Sequence, residues 1–357
     1  MDHFSVPLVK IKDIKPHPNA DNLQLAYVLG YQCIIRKGVF TTGQTVAYIP
    51  EDSIVPENIL KYLGFWNEDK NQGNLYGSTH NRVKAVKLRG EISQGILFPY
   101  TGKLGTDLKE KLGITKYTPP VPIQMNGEVT AGLPGSTLSF DIESYLRYPE
   151  VLIPGEPVVY TEKLHGTFCG IGFSTNKVEY SFGEKLNITI FSKGLGKQGL
   201  VFRNNEKNEK NLYVRTIAKI LPNIDSISNY REGSGFILGE ITGKGVQDLT
   251  YDGKVQFRAF AVIKQDAYRG NQFLDFQYAK EFTDIIGVPF VPVLAREGFR
   301  EERLFELGQG TSTLGGCLRE GVVVVPEHDR EVPGMGRVAL KYKGEAYIMR
   351  HKSTEYT

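Results

Sequence analysis

Apolar residues in the first third of the chain fall in short runs of strand length, separated by polar turn clusters such as His17-Pro-Asn-Ala-Asp21 and Thr41-Thr-Gly-Gln44. These runs predict strands over 8–14, 25–29, 32–36, 45–49, 82–88 and 95–98, with one short helix over 57–63. Many short strands with turn residues between them point to a small barrel or sandwich. Residues 113–135 then carry Pro119, Pro120, Pro122 and Pro134 among several glycines. Such a stretch can continue neither a helix nor a central strand, and it predicts a domain boundary. From residue 148 the pattern changes. Strand-like runs at 158–161, 168–173, 178–181, 189–192, 235–241, 256–263, 321–325 and 338–342 are interleaved with helical segments at 276–286 and 300–307. Over 208–221, Leu212, Ile217, Ile220 and Leu221 recur among charges, the spacing of an amphipathic helix. The expected layout is a β domain over 1–115, a linker over 116–147 and an α+β domain over 148–357.

Composition agrees with two domains. The 357 residues are 40% hydrophobic, enough for a sizeable core, and no run approaches the ~18 apolar residues that span a bilayer. The opening residues lack the apolar segment of a secretory signal. Cys33, Cys169 and Cys317 are odd in number and far apart, which fits a reducing intracellular compartment such as the cytoplasm rather than a disulfide framework. The net charge of +3 hides an asymmetry. Residues 1–118 hold 15 Lys and Arg against 11 Asp and Glu, whereas the remainder holds 28 against 29. The densest basic run is Arg82, Lys84, Lys87 and Arg89. Cations recurring along a strand can follow a phosphate backbone, and they equally suit a solvated edge strand guarded by lysines.

Common catalytic signatures are missing. The six histidines form no HExxH and no zinc spacing with cysteine, and GxSxG, Walker A and strand–GxGxxG–helix patterns do not occur. What remains is a series of lysines and glutamates at strand ends. Glu162, Lys163, His165 and Gly166 follow the apolar run PVVY. A lysine at a strand end before a tight glycine turn is well placed as a nucleophile, and Gly166 lets the backbone approach a ligand closely. Further along come Ser192 and Lys193, then Glu240 closing an apolar strand, then Phe257 and Phe260, either of which could stack on a base. Glu320 opens the run GVVVV, and Lys341 and Lys343 share one face of a strand.

Together and in this order, these segments resemble the six motifs of the covalent nucleotidyltransferase superfamily of polynucleotide ligases and mRNA capping enzymes, over residues 160–343. One departure stands out: the first motif usually reads KxDG, and His165 occupies the acidic position. Only 14 residues follow Lys343, so the OB domain that DNA ligases and capping enzymes carry there is not expected, and the β module lies in front instead. Residues 17–25 look like the opening of tRNA-binding OB modules. This arrangement, with the stretches at 46–56, 82–99 and 140–152, is similar to the Deinococcus-type, or fifth, RNA ligase family.

The resemblance implies an N-terminal OB-like β-barrel followed by an α+β nucleotidyltransferase (ATP-grasp-like ligase) domain. It implies ATP-dependent sealing of RNA 5′-phosphate and 3′-OH ends through a lysyl-AMP on Lys163 and an AMP-capped 5′ end. Lys341 and Lys343 would contact the α-phosphate, and Glu320 and Glu240 would hold Mg²⁺ or Mn²⁺. Glu162, His165, Gly166, Ser192, Lys193, Glu240 and Phe260 would line the nucleotide, with Phe257 competing for the base. Arg82, Lys84, Lys87 and Arg89 would meet RNA, nicked RNA/DNA duplexes included. No membrane and no obligate protein partner is expected. A GTP-using capping enzyme, a DNA ligase and a non-catalytic OB-fold RNA-binding protein are the rival readings.

Overall fold

A computed structural model describes residues 4–131, 137–138, 140–175, 181–193, 199–227, 234–266 and 268–350. The strand expected over 178–181 falls largely outside these residues. The chain forms two compact units, one of residues 3–118 with 144–150, the other of 119–143 with 151–357. The stretch expected as a linker over 116–147 is thus divided between them. Met125, within it, is buried in the larger unit's core, where its carbonyl accepts from Asn211 Nδ2 at 3.3 Å.

The smaller unit is built on a five-stranded sheet. Its order is Ile96–Pro99, Thr45–Ile49, Leu8–Pro16, Leu23–Val28, Tyr31–Arg36, with each neighbouring pair antiparallel. Alternation sends Ala26, Val28, Cys33, Ile35, Val46 and Tyr48 into one core. The register shifts between Ile11 and Asp13, so one strand pairs with Thr45–Ile49 at its start and with Leu23–Val28 beyond. A bulge of this kind bends the strand and increases its twist. The edges then meet: Gln94 N donates to Gln32 O at 2.8 Å and Ile34 N to Ser93 Oγ at 2.9 Å. The result is a small curled barrel.

The basic run departs from expectation. Only Val86–Leu88 is a strand, in a hairpin with Glu91–Ser93. Arg82 is 6% exposed; its Nε and Nη2 donate to Asp52 Oδ1 at 3.0 and 2.5 Å, and its guanidinium lies 3.6 Å over the Tyr117 ring. This corrects its reading as a phosphate contact, because a buried, paired guanidinium stabilises the fold instead. Lys84 is half-buried, 4.8 Å over the Tyr76 ring, while Lys87 and Arg89 are exposed. Arg82→Ala is expected to lower stability by about 2 kcal/mol in urea titrations, the scale of losing charge-assisted hydrogen bonds from a buried group.

The larger unit contains two large sheets and a two-stranded one, Glu331–Val332 with Gly336–Arg337. A seven-stranded antiparallel sheet runs in the order Val129–Ala131, Leu200–Phe202, Asn187–Ser192, Thr167–Ser174, Ser234–Thr242, Gln256–Asp266, Gly270–Phe273. In the other, Pro157–Lys163 lies between Val293–Gly298 and Gly321–Pro326, and Leu340–Lys343 pairs with the far side of Gly321–Pro326. Val159 and Val325 from the second sheet share a core with Ile171, Ile190 and Ile237 from the first. The single helix expected over 208–221 is two, Leu212–Ile217 and Leu221–Asp225. Asn211 caps the first, its side chain accepting from Tyr213 N and Val214 N. Pro222 forces the break, since its ring would clash with the carbonyl four residues back.

Candidate active site

Lys163 ends the Pro157–Lys163 strand, and Thr167 begins Thr167–Ser174. The Leu164-His165-Gly166 turn is therefore the point where the chain crosses from one sheet to the other. The crossing is tight: a Cβ on Gly166 would lie 2.1 Å from Ile241 O, so only glycine fits. Gly166 O accepts from Gln247 Nε2 at 3.0 Å. The neighbouring strands bring the remaining groups. Lys163 pairs in register with Gly321, setting Glu320 beside it, and Val323 and Gly321 pair with Lys341 and Lys343. Glu240 comes from the adjacent sheet, opposite Phe168.

Lys163 Nζ lies 2.8 Å from Glu320 Oε1, with the Glu320 side chain 3% exposed and that of Lys163 19%. Burial acts to raise the Glu320 carboxyl pKa, but the positive charges of Lys163 and Lys343 outweigh it and hold the group below the ordinary value. Glu240 goes the other way. Burial pushes it up to about 8, against the pull of Lys163 and with the Glu320 charge adding to the rise. Burial also pushes Lys341 down to about 8; Asp141 opposes this, and the cations Lys163, Lys343 and Lys193 reinforce it. Three carboxylates and four lysines are thus electrostatically coupled in one place. Such mutual perturbation marks a site arranged for charge chemistry.

A cavity of about 90 Å³ adjoins this cluster, lined by Phe140, Glu162, Lys163, Glu240, Phe260 and Arg337 among others. A larger one, about 280 Å³, opens against the helix Phe276–Ile285 with apolar walls, and none of the expected site residues reaches it. The smaller cavity is the candidate site. Phe260 faces it, whereas Phe257 is 3% exposed in the core, its ring filling the space over Gly239. Of the two aromatics, Phe260 is the one that lines this cavity. Glu162 is 2% exposed; Oε2 accepts from Thr313 N and Oγ1 at 2.9 and 2.7 Å, and Oε1 is buried without a hydrogen-bond partner. Ser192 and Lys193 close the Asn187–Ser192 strand, and Lys193 Nζ is 2.8 Å from Asp141 Oδ2.

His165 departs from expectation. Its ring is 6% exposed, with Nε2 2.8 Å from Asp248 Oδ1 and Nδ1 2.9 Å from Tyr347 Oη. Both nitrogens are engaged by protein, which corrects its placement among the nucleotide contacts. Asp141 was absent from the sequence-based site. Its carboxylate faces Lys193 and, at 3.5 Å, Lys341, while Phe140 stacks on Phe260 with centroids 5.2 Å apart. No local pattern announces Asp141; only the resemblance of the 140–152 stretch could have flagged it.

The residues present suit a divalent cation. Glu320 Oε2 is buried with no hydrogen-bond partner, and the Glu240 carboxyl is close enough to feel the Glu320 charge. Among the described residues no three His, Cys, Asp or Glu side chains form a complete cage. One or two carboxylates with substrate phosphates are the usual environment of Mg²⁺. The charge state of Glu240 has a consequence for stability. Its folded-state pKa is raised, so its contribution is intact below the ordinary carboxylate value and is lost as pH rises towards about 8. Glu240→Gln, which mimics the neutral acid, is expected to raise the melting temperature relative to wild type at pH 9 but hardly at pH 4. An equal shift at both pH values would contradict this assignment.

A sequence profile of the RNA ligase family matches residues 156–343, the span from the Lys163 strand to Lys343. The chain belongs to the RNA ligase family. A second profile, of an OB-fold domain, matches residues 6–100, so the small barrel of this RNA ligase is an OB fold. The fold also matches solved structures of Naegleria gruberi RNA ligase. A lysine-to-alanine variant with ATP and Mn aligns at TM-score 0.77 and 21% identity, covering 98% of this chain and 99% of that one. A lysine-to-methionine variant with AMP and Mn aligns at 0.77 and 22%, covering 97% and 98%. A structure with PPi aligns at 0.77 and 21%, covering 98% of each. No curated protein matches this RNA ligase by sequence. Among its described residues no helix is long and apolar enough to cross a membrane.

Proposed function

We propose that this RNA ligase is ATP-dependent, of the Deinococcus type, and joins RNA 5′-phosphate and 3′-OH ends through adenylated Lys163. The observation that carries this reading is Lys163 Nζ held 2.8 Å from buried Glu320, beside the cavity faced by Glu240 and Phe260. In the first step the Nζ lone pair attacks the α-phosphorus of ATP, a P–N bond forms, and the bond to the β-phosphate oxygen breaks as pyrophosphate leaves. From ammonium to the P–N linkage Nζ loses two protons and keeps one; Glu320 Oε1 is placed to receive one of the two, and the other leaves to solvent. Lys341 and Lys343, on one strand face, meet the negative charge developing on the α-phosphate. Phe260 provides a face for adenine, and the unpartnered Glu162 Oε1 can accept from its exocyclic amine. Glu320 and Glu240 would hold a divalent cation, which supplies charge that offsets the triphosphate and disfavours the ammonium form of the nucleophile.

AMP then passes to an RNA 5′-phosphate, and the 3′-OH attacks that activated phosphorus, expelling AMP. The OB unit would grip the RNA, nicked duplexes included, through Lys84, Lys87 and Arg89, since OB folds bind strands by backbone charge and stacking. Cys33 and Cys169 are buried free thiols and Cys317 is half-buried and free, in keeping with a reducing compartment. The test is incubation with α-labelled ATP or GTP and a divalent metal, followed by a chase onto nicked substrates with RNA or DNA at the 3′-OH side. Label from ATP that moves to RNA ends is the expected result. Label from GTP alone would favour a capping enzyme, and equal sealing of DNA 3′ ends a DNA ligase.

A further inference from the structure

The strand that presents Glu240 runs on through a turn at Gly243 and Gly245 to Gln247 and Asp248, which fold back onto the Lys163 crossing. Gln247 holds the Gly166 carbonyl. Asp248 Oδ1 meets His165 Nε2 at 2.8 Å, while Arg350 grips the same carboxylate with Nε 2.7 Å from Oδ2 and Nη2 3.2 Å from Oδ1. The Arg350 guanidinium in turn lies 3.7 Å over the Tyr347 ring, whose hydroxyl meets His165 Nδ1 at 2.9 Å. With its proton on Nε2, the imidazole donates to Asp248 and accepts from Tyr347, so every polar atom of the ring is matched. Four side chains from three separate segments thus close a ring of contacts, and its hub is the residue two positions after the nucleophile.

We propose that Asp248 is a positioning residue for Lys163, acting through His165. A carboxylate from a distant turn thus reaches the crossing at the motif position where an aspartate usually stands. Arg350 sets the Asp248 carboxylate, Asp248 sets the His165 ring, and the ring sets the backbone that aims Lys163 Nζ. The His165 imidazole reaches further than an aspartate would and so meets Asp248, which completes the relay in KLHG. The proposal rests on the ligase reading above.

The test is single-turnover adenylation with α-labelled ATP in the full chain. Asp248→Asn and Asp248→Ala are expected to slow the rate at saturating ATP by on the order of 10- to 100-fold, the scale of a roughly 1 Å misplacement of a reacting group. The ATP concentration for half-maximal rate should stay within about twofold of wild type, because neither base nor phosphate contacts are touched. Damage to folding alone would instead reduce the fraction of protein labelled and leave the rate constant intact. His165→Asp should be slow for a different reason, since it sets two carboxylates against each other; His165→Asp combined with Asp248→Asn should recover at least part of the rate. Labelled wild type with an unchanged Asp248→Ala rate overturns the relay and leaves the ligase reading standing. An unlabelled wild type overturns both.

Discussion

Lys163→Ala is expected to give a folded protein that acquires no acid-labile label from α-labelled ATP and seals no RNA. The loss should reach roughly four orders of magnitude, about 5.5 kcal/mol of barrier at 1.36 kcal/mol per tenfold, because the atom that forms the P–N bond is gone. Its effect on stability provides an independent check. Glu320 is 3% exposed and depends on Lys163 for its charged state. Removing the amine leaves a buried carboxylate without the cation that acts on it most strongly, at a cost of about 3 kcal/mol near neutral pH. The sign fixes the pH window. A carboxyl with a lowered folded-state pKa contributes stability above its ordinary value and loses that contribution as pH falls through the lowered one. The melting difference between wild type and Lys163→Ala should therefore be large at pH 7 and shrink in acid. A variant that still takes label, on any residue, would remove Lys163 from its proposed role.

Some of this site was readable from residue order, and physical chemistry says which part. Lys163, Glu240, Glu320 and Lys341 each adjoin an apolar strand, so the hydrophobic pattern that located the strands also located them. Strand pairing then brought Lys163, Glu320 and Lys341 together, since antiparallel neighbours place their ends side by side, and the crossing at Gly166 added Glu240 from the other sheet. The small barrel was readable in the same way, from five runs that matched strands within one or two residues at most ends. Arg82 was misread because charge spacing cannot tell a free cation from one whose partner, Asp52, lies 30 residues upstream. His165 was misread because its partner Asp248 is 83 residues away. Asp141, 52 residues from Lys193, was invisible for the same reason. Side chains whose meaning depends on a long-range partner carry no local signal.

The same coupling governs the second large effect. Glu320→Ala is expected to slow adenylation by roughly 100- to 1000-fold at limiting Mg²⁺ or Mn²⁺, the scale of losing one preorganised electrostatic group. Two roles are open to this carboxylate, and they separate by metal titration. As a partner of Lys163 alone, it would give the same loss at every metal concentration. As a holder of the cation through the unpartnered Oε2, it would shift the half-saturating metal concentration upwards by at least about tenfold, with excess metal restoring part of the rate. Glu320→Gln sharpens the distinction, since it keeps the volume and one acceptor oxygen while removing the charge that Lys163 and Lys343 stabilise. Recovery of Glu320→Gln ahead of Glu320→Ala at high metal is the expected order. Glu240→Gln should shift the metal requirement less, because burial pushes the Glu240 carboxyl up to about 8 and part of the cation's attraction is used in displacing its proton. A Glu320 variant with unaltered half-saturation would return the cation to the substrate phosphates and leave Glu320 solely as the partner that holds Lys163.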